Sequence, residues 1–107
     1  ALLLHTTLFA GDDWYFEATG GLDFTGQLAW ARDVLTQARA RGEKVFVMHH
    51  HEQGDLTGYA GLYNKLLEDF KDIVRYSFGG HAHTTFFRVK RDTNSLTKPL
   101  RVALFPG

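Results

Sequence analysis

The chain has 107 residues, of which 44% are hydrophobic and 14% aromatic, enough for one small globular core. Twelve basic residues balance twelve acidic ones, so bulk charge indicates neither a nucleic acid duplex nor an anionic membrane as a partner. The absence of cysteine excludes a disulfide scaffold and thiolate metal ligands. No apolar run approaches the roughly 20 residues of a transmembrane segment.

The first predicted elements are a strand and a helix. Residues 2–9 are rich in leucine and threonine and predict a strand. An apolar stripe at helical spacing predicts a helix over residues 25–41, with Asp23 or Thr25 as its N-cap and Gly42 as its C-terminal stop. The stripe consists of Leu28, Ala31, Leu35 and Ala38, with Val34 beside it.

The rest of the chain continues the alternation. A short buried strand is predicted over 44–48, a helix over 62–72, and a strand over 74–78. The apolar face of this helix is expected to consist of Leu62, Leu66, Leu67 and Phe70. Residues 85–90 and 100–105 then predict a hairpin. The order is strand, helix, strand, helix, strand and hairpin, which predicts an α/β fold with a parallel core and right-handed crossovers.

Five of the six histidines form two clusters that follow predicted strands. His49-His50-His51 comes after residues 44–48, and Gly79-Gly80-His81-Ala82-His83 comes after residues 74–78. Ligand sites of open α/β sheets lie at the carboxyl ends of the strands. In extended backbone, His81 and His83 point to the same side about 7 Å apart. That spacing suits two metal ions about 3.5–4 Å apart, one of which His50 could complete. The pattern therefore predicts a metal site.

A dinuclear hydrolytic centre also needs a bridging carboxylate. None of the acidic candidates stands at a strand end in a recognisable pattern; they are Asp12, Asp13, Asp23, Glu52 and Asp55. The chain also begins inside an apolar run, and a parallel sheet needs cover on both faces. We therefore expect the chain to be part of a larger domain that supplies the bridging ligand, and to be poorly stable alone.

At these residues the sequence resembles the calcineurin-like metallophosphoesterases, and within them the acid sphingomyelinase-like phosphodiesterases. Gln27-Leu28-Ala29-Trp30 resembles the start of a family helix, and His49-His50 stands at the family's G-H motif. Phe78 to His83 resembles the family's F-x-G-H-x-H motif. Pro99 to Ala103 is similar to its closing strand. The resemblance covers most of the chain, and the run from Gly79 to His83 is its most specific part.

The resemblance implies a fold and a metal shell. Residues 1–107 would form the C-terminal half of a metallophosphoesterase β-sandwich flanked by helices. His50 and His81 would bind one divalent metal ion and His83 a second, with zinc expected first and manganese or iron as alternatives. The general acid and the remaining ligands would come from the N-terminal half of the same domain. This chain would then carry no catalytic residue of its own and would be inactive alone.

The resemblance also implies a substrate, a phosphodiester small molecule or a phospholipid such as sphingomyelin, and a secreted or lysosomal location. His49 is expected to contact phosphate or support a ligand, and His51 to contact substrate or lie in a solvated loop. The family's G-H-x-P-P motif is replaced here by His49-His50-His51-Glu52-Gln53. That departure keeps open a non-catalytic binding module as an alternative. A mononuclear zinc site of His50, His81 and His83 is a further alternative, because it would need neither a bridging carboxylate nor the missing half.

Overall fold

The computed structural model describes residues 2–4, 25–51, 59–92 and 95–106. Within them the elements are β1 (Leu2–Leu3), α1 (Gln27–Ala40), β2 (Val45–Met48), α2 (Tyr59–Asp69), β3 (Val74–Phe78), β4 (Thr85–Asp92) and β5 (Ser95–Pro106). This order confirms the predicted alternation and the final hairpin. The predicted first strand is described only as far as Leu4, and its remainder lies outside the described residues.

The strands form one mixed sheet in the order β1-β2-β3-β5-β4. β1 with β2, β2 with β3, and β3 with β5 pair in parallel, and β4 pairs antiparallel with β5 at the edge. The predicted α/β class and parallel core are therefore confirmed. Because β2 and β3 are parallel neighbours, the segments that follow them emerge at the same edge of the sheet.

The core lies between the two helices and one face of the sheet. The predicted stripe of α1 is buried, with Val34 partly buried beside it. On α2 the prediction was wrong at one position, because Leu62 is 45% exposed whereas Tyr63 is fully buried. Tyr63, Leu66, Leu67 and Phe70 follow the i, i+3, i+4, i+7 spacing that places side chains on one helix face. Leu62 lies four residues before Leu66, at the exposed margin of that face.

The two ends of α1 differ in how well the sequence predicted them. The N-cap is Gly26 in a left-handed conformation (φ 68°) with no side-chain cap hydrogen bond, so the prediction of Thr25 was wrong. Asp23 lies outside the described residues. The C-terminal stop is confirmed: Gly42 has φ 70°, and the N–H of Glu43 donates to the carbonyl of Ala38 at 2.9 Å. This arrangement is a Schellman motif, which requires a left-handed residue that glycine adopts without strain.

An exposed ionic network joins the two helices. Arg39 donates to both carboxylate oxygens of Asp72 at 2.9 and 2.6 Å, and Arg32 donates to Asp69 at 2.9 Å. The hydrogen bond from Arg39 lowers the pKa of Asp72. The hydrogen bond from Arg32 is the main cause that lowers the pKa of Asp69. The guanidinium of Arg39 also lies 4.3 Å from the centroid of the Phe70 ring, a cation–π contact.

The sheet face opposite the helices carries exposed apolar side chains. Leu3, Phe46, Met48 and Tyr76 are all more than two-fifths exposed. The ring of Phe46 makes edge contacts with the rings of Tyr76 and Phe78, at centroid distances of 6.0 and 6.1 Å. Neither described helix is long and apolar enough to cross a bilayer.

Candidate metal centre

The two histidine segments meet at the edge of the sheet where β2 and β3 end. The N–H of His49 donates to the carbonyl of Phe78 at 2.9 Å, and the N–H of Gly80 donates to the carbonyl of His50 at 2.9 Å. These bonds continue the pairing of the two parallel strands beyond their last regular residues. The backbone therefore places the segment after β2 directly against the segment after β3, as the sequence predicted.

Three imidazoles converge there. One potential ligand atom from each of His50, His51 and His81 lies within 4.8 Å of the other two. Ring centroids are 4.8 Å apart for His50 and His51, 5.3 Å for His50 and His81, and 4.3 Å for His51 and His81. His50 and His81 are exposed, whereas His51 is only 6% exposed. The cluster is thus open to solvent on one side and anchored in the protein on the other.

This donor set fits a divalent metal ion. Imidazole nitrogens bind zinc at about 2.0–2.1 Å, which puts two nitrogens on one tetrahedral ion about 3.4 Å apart. The observed limit of 4.8 Å is larger by an amount that small side-chain rotations can close. Among the described residues no carboxylate joins the group. The acidic candidates Asp12, Asp13, Asp23, Glu52 and Asp55 all lie outside the described residues.

His83 does not belong to this group. His81 and His83 have φ values of 70° and 54°, and the N–H of Ala82 donates to the carbonyl of Gly80 at 2.9 Å. The extended backbone assumed for this segment is therefore wrong, because a left-handed turn replaces the strand. The same-side spacing of a strand does not apply to the two side chains. Binding of a second ion by His83 stays a prediction.

His49 lies beneath the cluster and is 8% exposed. Its Nδ1 is 2.6 Å from the carbonyl oxygen of His51, and since a carbonyl only accepts, Nδ1 carries the proton. The ring makes edge contacts with Tyr63 and Phe105, at centroid distances of 5.7 and 6.4 Å. His49 therefore fixes the backbone of His51 in this structure. Its contact with phosphate stays a prediction.

The paired glycines serve close packing. A Cβ at Gly79 would overlap the ring of Phe105 and would lie 3.0 Å from Cε1 of His49. At Gly80 the nearest atom to such a Cβ is Nδ1 of His50, at an ordinary contact distance of 3.4 Å. The positive φ angles of this segment occur at His81 and His83, and not at Gly79 or Gly80.

One groove adjoins the cluster at His50, and a second groove meets the first. The first, of about 380 Å³, passes the ends of β1, β2 and β3 and is lined by His49, His50 and neighbouring apolar residues. The other, of about 630 Å³, runs along the β4–β5 hairpin and is lined mainly by Phe78, Phe86, Phe87, Leu104 and Phe105. Phe78 and Pro106 line both grooves, which therefore share a boundary beside the histidines.

Curated relatives decide the family. The chain is 34% identical to sphingomyelin phosphodiesterase of Bos taurus over 82 residues, which are 76% of this chain and 13% of that protein. It is 33% identical to sphingomyelin phosphodiesterase of Homo sapiens, with the same shares covered. Identity to sphingomyelin phosphodiesterase 1 of Caenorhabditis elegans is 29%, over 75% of this chain and 15% of that protein.

The chain belongs to the acid sphingomyelinase-like family. It spans only about an eighth of the length of the mammalian relatives. No protein-family model matches the chain. Membership rests on these relatives, and the resemblance to the acid sphingomyelinase-like phosphodiesterases is confirmed.

The sequence did not mark His51 as part of the cluster. The sequence pattern indicated substrate contact or a solvated loop for His51, and a metal ligand only for His50 of this segment. The feature that could have identified His51 is its place in the altered motif, where an imidazole directly follows His50. The segment leaves the strand after Met48, and its turn brings both rings toward His81.

Proposed function

We propose that this acid sphingomyelinase-like chain contributes to a metal-dependent phosphodiesterase. The observation that carries the proposal is the convergence of His50, His51 and His81 at the carboxyl ends of two parallel strands. Relatives named sphingomyelin phosphodiesterase support the reaction class, a hydrolysis of phosphodiester bonds.

The proposed roles follow from the chemistry of the side chains. His50 and His81 hold a divalent ion, with zinc expected first because imidazole is a preferred zinc ligand. Such an ion supplies Lewis-acid stabilisation of negative charge on phosphoryl oxygens. Both side chains are exposed, so a phosphodiester reaches the site from solvent. By family resemblance His83 binds a second ion.

The grooves support a phospholipid as the substrate. The hairpin groove is lined by aromatic and aliphatic side chains and meets the groove beside His50 at Phe78 and Pro106. A phosphodiester at the histidines could therefore extend an acyl chain along Phe86 and Phe87, where apolar contact is favourable. A small phosphodiester without a chain would leave this groove unused.

We further propose that the N-terminal half of the same domain packs against this chain. The exposed apolar face at Leu3, Phe46, Met48 and Tyr76 supports it, because large apolar patches commonly mark interaction surfaces. That half would complete the family's sandwich and would bring the bridging carboxylate and the general acid. The active site would then lie between the two halves.

The second candidate function is a binding module without catalysis. The observation that favours it is the buried imidazole of His51, at a motif position followed by prolines in the family. A changed loop beside the ion can retain metal while altering the space that a substrate needs. Both candidate functions predict a bound metal ion, but only the phosphodiesterase predicts turnover.

The test is metal content and hydrolysis of bis-p-nitrophenyl phosphate, measured on the same samples. The proposal predicts bound metal with turnover when this chain is joined to the N-terminal half of the domain, and loss of both when that protein carries His81→Ala. Gln37→Ala is the matched control, because Gln37 is exposed on α1, away from the site. Metal without turnover would favour the binding module. Retention of metal and turnover by His81→Ala would overturn the assignment.

A further inference from the structure

We propose that His51 is the third imidazole ligand of the ion held by His50 and His81. This inference rests on the proposed metal site and adds a ligand that the family motif does not contain. The three side chains would form a site for one divalent ion supplied entirely by this chain. The site would need neither His83 nor a carboxylate from elsewhere to bind its first ion.

The mutual geometry of the rings carries the inference. His51 is close to both proposed ligands, at centroid distances of 4.8 Å to His50 and 4.3 Å to His81. The distance between His50 and His81 themselves is larger, at 5.3 Å. An ion bound by His50 and His81 would therefore lie next to the ring of His51. Excluding His51 from coordination would require its ring to turn away.

The backbone holds His51 in this position from the protein interior. The Nδ1–H of His49 donates to the carbonyl of His51 at 2.6 Å, and the buried ring of His49 is packed against Tyr63 and Phe105. His51 itself is nearly inaccessible to solvent. A ligand that is already ordered loses little side-chain entropy when it binds, which favours affinity.

The conformation of His81 supports the same conclusion. Its φ of 70° is uncommon for a residue with a side chain and strains the backbone. Such strained residues cluster at functional sites, where the surrounding structure holds them in place. Here the left-handed conformation brings the ring of His81 to within 4.3 Å of the ring of His51.

The ligand set determines the metal class. Three neutral imidazoles favour zinc, cobalt and similar ions, whereas magnesium and calcium prefer oxygen ligands. We therefore expect the protein to bind one Zn²⁺ or Co²⁺ with much higher affinity than Mg²⁺. Because no thiolate is present, Co²⁺ can report coordination through its visible absorption without overlapping charge-transfer bands.

The experiment is a Co²⁺ titration of the whole chain, followed by visible absorption and competed with Zn²⁺. His51→Leu places an apolar side chain at this buried position, and His51→Gln places a polar one. Both variants remove the imidazole. We expect each to lower Co²⁺ affinity more than about 10-fold, the smallest loss typical when even an outer partner of a ligand is removed. His83→Ala should change the affinity for the first ion less than about 3-fold. Circular dichroism establishes that each variant is folded.

The outcomes separate this inference from the proposed function. Unchanged affinity in folded His51→Leu, with loss in His50→Ala and His81→Ala, would overturn the role of His51 alone. Unchanged affinity in all of these variants would overturn the proposed metal site as well. Tight metal binding without phosphodiester hydrolysis by the protein that includes the N-terminal half would leave His51 as a ligand and refute the enzymatic function.

A measurement on the unmodified protein covers the case in which neither His51 variant folds. Imidazole nitrogen resonances recorded with and without Zn²⁺ identify the rings that bind the ion. We expect the nitrogens of His50, His51 and His81 to shift at one equivalent of Zn²⁺. A spectrum in which the His51 resonances stay in place would refute the inference.

Discussion

Replacing Gly79 by alanine should destabilise the protein, because the new methyl group has no space. It would overlap the ring of Phe105 at Cε1, lie 2.9 Å from Cδ1, and lie 3.0 Å from the ring of His49. Phe105 cannot easily move, since it is 2% exposed and stacks on Phe86 at a centroid distance of 4.3 Å. Overpacking of this kind costs about 1–3 kcal/mol.

Thermal and urea unfolding followed by circular dichroism measure this loss. For a domain of this size each kcal/mol lowers the melting temperature by roughly 4–8 °C. Gly80→Ala is the matched control, because its methyl group would meet its nearest neighbour at 3.4 Å. We expect a clearly lower melting temperature for Gly79→Ala than for Gly80→Ala. Equal melting temperatures for the two variants would refute the packing explanation.

Two further predictions concern the helices. Gly42→Ala forces a side chain into the left-handed position that ends α1, and should lower the free energy of unfolding by about 1 kcal/mol in urea denaturation; an unchanged value would contradict the Schellman role. Asp72 has a lowered pKa, so its pairing with Arg39 stabilises above the ordinary value of 3.8 and is lost as pH falls through the folded-state pKa. Asp72→Asn should therefore reduce, by at most about 1 kcal/mol, the free energy of unfolding that the protein loses on acidification, and the difference should be smaller at high salt. If the free energy of unfolding of the variant and of the unmodified protein depended on pH identically, this role of Asp72 would be refuted.

The sequence predicted the parts of the fold that depend on periodicity. The stripe of α1 repeats at helical spacing, and burial of a continuous stripe is the main source of helix stability in proteins. The order of strands and helices fixed the parallel core, because a crossover helix returns the chain in the same direction. Gly42 was identifiable because few other residues adopt a positive φ without strain.

The conformation of the site could be predicted only in part. Strand ends placed the two histidine clusters together, since that follows from topology alone. The turn at His81 and His83 could not be predicted, because residues other than glycine rarely adopt a positive φ. The inclusion of His51 depends on that turn, and on a backbone bend after β2 that no periodic pattern describes.

Packing and the proposed metal binding would depend on the same few residues at this edge of the sheet. Gly79 leaves the space that the rings of Phe105 and His49 fill, and His49 in turn donates to the backbone of His51. The ring of His49 therefore contacts both Phe105 and the carbonyl of His51. Metal affinity is sensitive to ligand positions on the scale of a few tenths of an ångström. The folded core thus sets the geometry of the cluster, which is why the most buried of its histidines can serve as its anchor.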